Sequence, residues 1–295
     1  MNITILGAGS IGSLWACHLA NAGHNVSIWS NKPEKSETLL ILDNQNPKRF
    51  ITNSVLQLKS ADVILVTVKA WQVKGAISAL LEHLAPETII VFMHNGMGTM
   101  DDLPVSLYEH PIVLATTTHG AYKPSQNSIC HTGFGSTTLG GYNNLGQRCH
   151  FLSDVFENAL PSVTWSDSIN KALWDKLSIN CVINPLTAIH QCLNGDLLQE
   201  KFSTLVVQLV SEICAVRHAE KFEINSDVLL TSVHQVISAT AKNHSSMQQD
   251  ISHKKITEID YINGYLCKVA QRHGISVPTN QELYSQIKNI EQSWS

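Results

Sequence analysis

A short glycine loop near the N-terminus constrains the fold of this chain more than any other feature. Gly7-Ala8-Gly9-Ser10-Ile11-Gly12 fits the pattern G-x-G-x-x-G. The pattern alone is a weak signal, because a glycine-rich turn without a ligand satisfies it equally. Here it follows the apolar run Ile3-Thr4-Ile5-Leu6 and opens a helical stretch over about residues 10–22. That strand–turn–helix setting gives the pattern a physical meaning. The first glycine permits a tight turn, the second lets backbone N–H groups approach a pyrophosphate, and the third packs helix against strand. The anion then lies at the positive end of the helix dipole. All six residues of the loop, Gly7, Ala8, Gly9, Ser10, Ile11 and Gly12, are therefore candidate dinucleotide ligands.

The next 140 or so residues continue the same alternation. Residues 26–29, 62–68, 88–93 and 112–116 read as strands, and 71–83 as a helix. Strands apolar on both faces and separated by helices belong in a parallel sheet covered on both sides. A glycine-rich stretch over 133–146 predicts loops or hairpins near the sheet's edge. Past residue 165 the texture changes. Glycines become rare, and apolar residues keep helical spacing over about 168–190, 197–220, 226–243, 252–273 and 279–291. The expected fold is an α/β dinucleotide-binding Rossmann domain over residues 1–166, followed by an all-α domain over 167–295. The length of 295 residues suits two domains at roughly 100–200 residues each.

Composition excludes several partners. Hydrophobic residues make up 43% and charged ones 15%, which is material for packed cores rather than a disordered chain. A net charge of -4 without any Lys/Arg block argues against nucleic acid and anionic membrane. The seven cysteines (Cys17, Cys130, Cys149, Cys181, Cys192, Cys214, Cys267) contain no C-x-x-C pair, which predicts a reducing compartment. No Lys or Arg precedes Lys32, so a secretory n-region is missing. No apolar stretch has membrane-spanning length. The expectation is a soluble cytoplasmic protein, monomer or homodimer, acting on a small molecule. The fourteen histidines form no H-E-x-x-H, and the nearest cluster, Cys181, His190 and Cys192, does not read as a metal site. Trp71 reads as a packing residue. His94 and His119, beside the expected cofactor loops, read as supporting hydrogen-bonding residues.

The end of the second strand discriminates between nicotinamide cofactors. An NAD site places Asp or Glu there to bond the ribose 2′-hydroxyl. This chain has Trp29-Ser30-Asn31-Lys32, with no acid before Glu34. Without a repelling carboxylate, and with Lys32 and the Ser30 and Asn31 donors present, a 2′-phosphate is accommodated and NADPH/NADP is expected. A solvated turn reads the same way.

In the second half, Lys176, Asn180 and Asn184 recur every fourth residue and share one helix face. Their neighbours Leu177, Cys181, Val182 and Ile183 are apolar, so the helix should be largely buried. Two amides and an ammonium in such a place need partners, because an unpaired buried polar group costs roughly 1–3 kcal/mol and a charge more. An exposed polar face is the alternative. Pro185 should kink the helix and free a backbone carbonyl.

Several further blocks follow in order: Thr67-Val68-Lys69-Ala70-Trp71-Gln72, His94-Asn95-Gly96-Met97-Gly98, Thr117-Thr118-His119-Gly120-Ala121, Asn194-Gly195, Ser245-Ser246-Met247-Gln248-Gln249-Asp250, and Glu258-Ile259-Asp260-Tyr261-Ile262-Asn263-Gly264. With the glycine loop and the block from Lys176 to Ala188, they closely resemble the ketopantoate reductase family over essentially the whole chain. The resemblance implies a Rossmann domain and a helical domain like the C-terminal domain of 6-phosphogluconate dehydrogenase, with the active site in the cleft between. It implies reduction of 2-dehydropantoate to (R)-pantoate with NADPH, on the route to pantothenate and coenzyme A. It assigns catalysis to Lys176, substrate binding to Asn180, Asn184, Asn194 and Ser246, and cofactor contacts to the glycine loop, Lys69, Asn95, Ala121 and Glu258. Asn95 is expected at the substrate as well. One departure stands out: family members often carry an arginine where this chain has Asn31, which weakens the case for strong NADPH preference unless Lys32 compensates.

The chemistry of these residue types agrees. A ketone receiving hydride becomes an alkoxide, which needs a proton and electrostatic support. The Lys176 ammonium supplies both. Glu258 either supports that ammonium or bonds a ribose. Only four arginines exist (Arg49, Arg148, Arg217, Arg272), none within these blocks, so no bidentate carboxylate clamp is expected. Two rival readings stand beside this one: a reductase of a different 2-oxo acid on the same plan, and a redox-sensing protein that binds the dinucleotide without chemistry. A sensor has no need of a proton donor.

Overall fold

The structure is a computed structural model that describes residues 1–31 and 36–294. By internal contacts it divides into two compact units, Met1–His94 with Thr99–Ala172, and Asn95–Gly98 with Leu173–Ser295.

The first unit is built on β1 (Asn2–Leu6), α1 (Ser10–Asn21), β2 (Asn25–Trp29), β3 (Glu37–Leu42), β4 (Lys48–Thr52), α2 (Val55–Lys59), β5 (Val63–Val66), α3 (Val73–Ser78), β6 (Ile89–Phe92) and β7 (Ile112–Thr117). It continues with β8 (Gly120–Tyr122), β9 (Ser128–Gly133), β10 (Thr137–Gly141), α4 (Leu152–Ala159) and β11 (Val163–Trp165). Every residue of β5, β6 and β7 is buried, as strands covered on both faces require. The strand order is β11-β10-β7-β6-β5-β1-β2-β4-β3-β9-β8 among the described residues. From β4 to β7 the neighbours run parallel, through β2, β1, β5 and β6. The chain leaves β1 to one side for β2 and later returns to its other side as β5. That reversal makes the carboxyl end of β1 a topological switch point, where open α/β sheets bind ligands. The glycine loop sits there.

Several features of this unit differ from the sequence reading. The antiparallel pair β3–β4 escapes it, because Lys48 and Arg49 break the apolar run and only Phe50 and Thr52 of β4 turn inward. The single helix expected over 71–83 is a 3₁₀ turn, the six-residue α3 and a second 3₁₀ turn. Gly75 and Ser78 are poor helix formers in a short segment. Trp71, expected to pack, is 42% exposed.

The second unit carries α5 (Ile169–His190), α6 (Glu200–Ala219), α7 (Ser226–Ala239), α8 (Ser246–Ser252), α9 (Asn263–Arg272) and α10 (Pro278–Gln292). The contact boundary after Ala172 falls inside the first turn of α5, where the texture change suggests 166. Trp174, Leu177 and Cys181 of α5 join Phe202, Val206, Leu209 and Ile213 of α6 in one apolar core with Leu266 and Val269 of α9. α5 continues through Pro185, which has no N–H to offer Cys181, so the expected free carbonyl is real. The helix expected over 252–273 is broken. α8 ends at Ser252, Lys254 takes a left-handed φ of 51°, and a 3₁₀ turn over Ile259–Tyr261 precedes α9. Glu258 therefore lies in a connection, not on a helix. Among the described residues no helix is long and apolar enough to cross a membrane.

Candidate active site

The glycine loop is held from both neighbouring strands. Gly7 N donates to Trp29 O of β2 at 2.9 Å, and Thr67 Oγ1, just past β5, donates to Gly7 O at 2.9 Å. Gly12 is irreplaceable for a steric reason: an added Cβ would collide with the Gly7 carbonyl and Thr67 Oγ1. Gly9 is the opposite case. It is exposed, and a Cβ there would meet nothing within 4 Å. Gly9 also caps α1 without a side chain, and no acidic residue lies in the first turn to offset the positive end of the helix dipole. The loop thus fits a dinucleotide pyrophosphate. Lys123, after β8, adds a cation that the sequence reading missed. Its Nζ donates to Ala8 O at 3.0 Å and Ser13 Oγ at 3.2 Å, a contact spanning more than 100 residues that no local pattern signals.

The other expected cofactor residues of this unit are placed as follows. Asn31 is exposed just beyond β2, where the Asn53 side chain accepts the Ser30 N–H at 2.9 Å. Lys32 lies outside the described residues. Lys69 follows β5, the strand paired with β1, so it shares the carboxyl edge of the sheet with the glycine loop. Ala121 sits in β8 opposite His131. His94 Nε2 bonds Thr99 Oγ1 at 3.0 Å, and His119 Nδ1 lies 3.2 Å from His131 Nε2.

In the second unit, three of the expected residues come together. Lys176 Nζ donates to Asn95 Oδ1 at 2.9 Å, and Asn95 Nδ2 donates to Glu258 Oε2 at 3.1 Å. The amide orientation is dictated by its partners, since an ammonium only donates and a carboxylate only accepts. Asn95 therefore bridges acid and base. Glycines make this possible. At Gly96, with φ 80°, a side chain would strike Tyr261, whose carbonyl accepts the Met97 N–H at 2.8 Å. The loop 95–98 consequently lies flat on the segment that carries Glu258. Burial pushes the Lys176 pKa down from 10.5 to about 8, against the opposing pull of the Glu258 carboxylate.

Asn180 and Asn184 follow Lys176 at successive four-residue steps of α5, half-buried and buried respectively. Asn194 is buried with its Nδ2 donating to Thr240 Oγ1 at 2.9 Å, while its Oδ1 is buried without a hydrogen-bond partner. Such an orphaned acceptor suits a ligand hydroxyl. Ser245 and Ser246 divide their labour. Ser245 is buried, caps α8 by accepting the Gln248 N–H at 3.0 Å, and accepts from Thr187 Oγ1 of α5 at 2.7 Å. Ser246 is exposed at the first position of α8. Arg217, given no role from sequence, is fully buried and grips the turn that holds Lys176. Its Nε donates to Phe222 O at 2.9 Å, and its two terminal nitrogens to Ser178 Oγ at 3.1 Å and Asp175 Oδ1 at 2.7 Å. Among the described residues no group of three or more His, Cys, Asp or Glu side chains is placed to hold a metal ion.

Residues 3–144 match the family described as ketopantoate reductase PanE/ApbA, and residues 168–291 match ketopantoate reductase PanE/ApbA C terminal. The chain is 50% identical over 295 residues to the 2-dehydropantoate 2-reductase of Vibrio cholerae serotype O1, covering 100% of this chain and 99% of that one. It is 39% identical over 297 residues to that of Yersinia pestis, covering 100% and 96%. The crystal structure of a PanE/ApbA family ketopantoate reductase from Ralstonia eutropha superposes with a TM-score of 0.86 at 26% identity, over 99% of each chain. D-mandelate dehydrogenase with NADH and anilino(oxo)acetate gives a TM-score of 0.89 at 22% identity over 99% of each chain, a likeness of fold. With both signatures matched in order and curated relatives aligned end to end, the chain belongs to the ketopantoate reductase family.

Proposed function

We propose that this chain reduces 2-dehydropantoate to (R)-pantoate with NADPH, with Lys176 as the general acid. The activity named for its full-length relatives supports the substrate. The observation that carries the mechanism is the bridge of Asn95 between Lys176 Nζ and the Glu258 carboxylate. In this reading the unit containing the glycine loop holds the dinucleotide through residues 7–12, with Lys69 and Ala121, and with Asn31 and Lys32 at the 2′-phosphate. The helical unit holds substrate and the proton.

A reduced nicotinamide, once bound, would supply the hydride that the ketone carbon receives. Negative charge then develops on the ketone oxygen, and Lys176 Nζ stabilises it and delivers a proton to it. A pKa of about 8 serves both needs: the side chain is mostly charged at neutral pH, yet gives up its proton more readily than an ordinary lysine. Asn95 fixes the direction of the ammonium by accepting one of its protons. Glu258, only 4% exposed, keeps the ammonium charged and is also available to a cofactor ribose. Asn180, Asn184, Asn194 and Ser246 offer neutral donors and acceptors to the substrate carboxylate and 4-hydroxyl, in place of an arginine clamp.

Replacing Lys176 by Ala tests the role directly. Loss of a general acid typically costs on the order of 10²–10⁴-fold in rate. The expected result is a fall of that size in kcat with the NADPH dissociation constant nearly unchanged, because proton donation acts on the transition state. Parallel losses in cofactor binding and turnover would make Lys176 a cofactor ligand instead.

A further inference from the structure

Pro185 leaves the Cys181 carbonyl without its helical donor, and the Asn263 side chain supplies one. Asn263 Nδ2 lies 3.0 Å from Cys181 O and 3.0 Å from Asn280 Oδ1, one amide proton for each. Asn280 Nδ2 donates in turn to Glu212 Oε2 at 2.8 Å. Glu212 also accepts the backbone N–H groups of Thr279 at 2.8 Å and Asn280 at 2.9 Å, at the start of α10. Both amide orientations follow from their partners, because a carbonyl and a carboxylate only accept. The chain Glu212–Asn280–Asn263–Cys181 thus runs from α6 through α10 and α9 to the middle of α5.

Asn263 and Asn280 have no exposed surface. Asn263 Oδ1 is buried without a hydrogen-bond partner, a cost that an apolar residue of similar size avoids. An asparagine near a helix start commonly bonds its own backbone; this one, the first residue of α9, spends both protons on other helices. The side chain is held for its donors. Where it acts explains why. Cys181 is five residues past Lys176 on α5, and Asn263 is five residues past Glu258. Between them, Tyr261 receives the loop that carries Asn95.

We propose that Asn263 is a positioning residue: by holding the Cys181 carbonyl that Pro185 frees, it fixes the 258–263 segment against α5 and so sets where Glu258 and Asn95 stand relative to Lys176 Nζ. The inference rests on the reading of Lys176 as proton donor.

Three variants test it: Asn263→Ala, Pro185→Ala and the double variant. Pro185→Ala restores the N–H that an ordinary helix offers the Cys181 carbonyl, so it repairs the orphaned acceptor without repairing the link to the 258–263 segment. Asn263→Ala is expected to lower the Tm and to reduce kcat about tenfold, as small misplacements of reacting groups do, with the ketopantoate KM much less affected. The double variant should recover Tm while kcat stays low. Recovery of kcat together with Tm would overturn the proposal, since the bond would then serve stability alone. Wild-type kcat in Asn263→Ala, or a loss confined to KM, would overturn it as well. Should Asn263→Ala fail to fold, Asn280→Ala keeps the Asn263 donor to Cys181 O and removes the acceptor that aims it, together with the bond to Glu212, and a smaller loss in kcat is expected; unchanged kcat there overturns the proposal. Wild-type protein in the same assay separates the two levels. If it does not turn over ketopantoate, the parent reading fails along with this one; if it does and Asn263→Ala is unaffected, this inference alone fails.

Discussion

At Lys176 two opposing effects act on one ammonium. Withdrawal from water lowers its pKa, the Glu258 carboxylate raises it, and burial wins, leaving about 8. If Lys176 acts as the proposed general acid, its protonated form delivers the proton, and activity belongs to the acid side of that value. We expect kcat/KM, which reports the free enzyme, to be level at neutral pH and to fall as pH rises through about 8. Glu258→Gln keeps an oxygen for the Asn95 amide but removes the charge, so the alkaline limb should move to lower pH. A limb unmoved or shifted upward would show that Glu258 does not act on Lys176. The α5 stripe is legible in sequence because its spacing is local. The pairing of Lys176 with Asn95 is not, since 81 residues separate them and only folding brings the loop to the helix. Family resemblance points to both residues, but the residues themselves do not reveal that Asn95 joins Lys176 to Glu258.

Elements built from strong local signals match their reading, and elements shaped by neighbours do not. β1, the glycine loop and α1 form one local strand–turn–helix, and the sequence is sufficient to recognise it. Its tightness makes a sharp prediction. Gly12→Ala must displace backbone at Gly7, and overpacking of this kind costs roughly 1–3 kcal/mol. A thermal melt and a fluorescence titration with NADPH should both show it, with cofactor affinity lost even where the protein remains folded. Undiminished affinity would mean the loop does not approach the pyrophosphate. By contrast, β3–β4 is specified by its pairing with β2 and β9, and its own charged residues conceal it. The break between α8 and α9 is likewise tertiary. Apolar spacing runs on through the segment, but Lys254 adopts a left-handed conformation and Glu258 and Tyr261 are drawn to loop 95–98. Pro185 is a middle case: the sequence shows that a carbonyl must go free, and only the fold shows that Asn263 takes it.

At the scale of the whole molecule, the change of texture past residue 165 marks two kinds of chain, and contacts divide it in the same region, after Ala172. The one excursion is Asn95–Gly98, which packs with the helical unit although it follows β6 in sequence. Charge is arranged for anions where the dinucleotide reading needs it: no acid lies in the first turn of α1, and Lys123 stands at the loop. For the proposed preference for NADPH, Asn31 is the weak point. The most direct measurement mixes the pure protein with ketopantoate and follows the nicotinamide absorbance, once with NADPH and once with NADH. Rapid loss of absorbance with NADPH and much slower loss with NADH is the expected result. Equal rates would place cofactor choice beyond what Asn31 and Lys32 can provide, and no loss with either cofactor would contradict the proposed reaction itself.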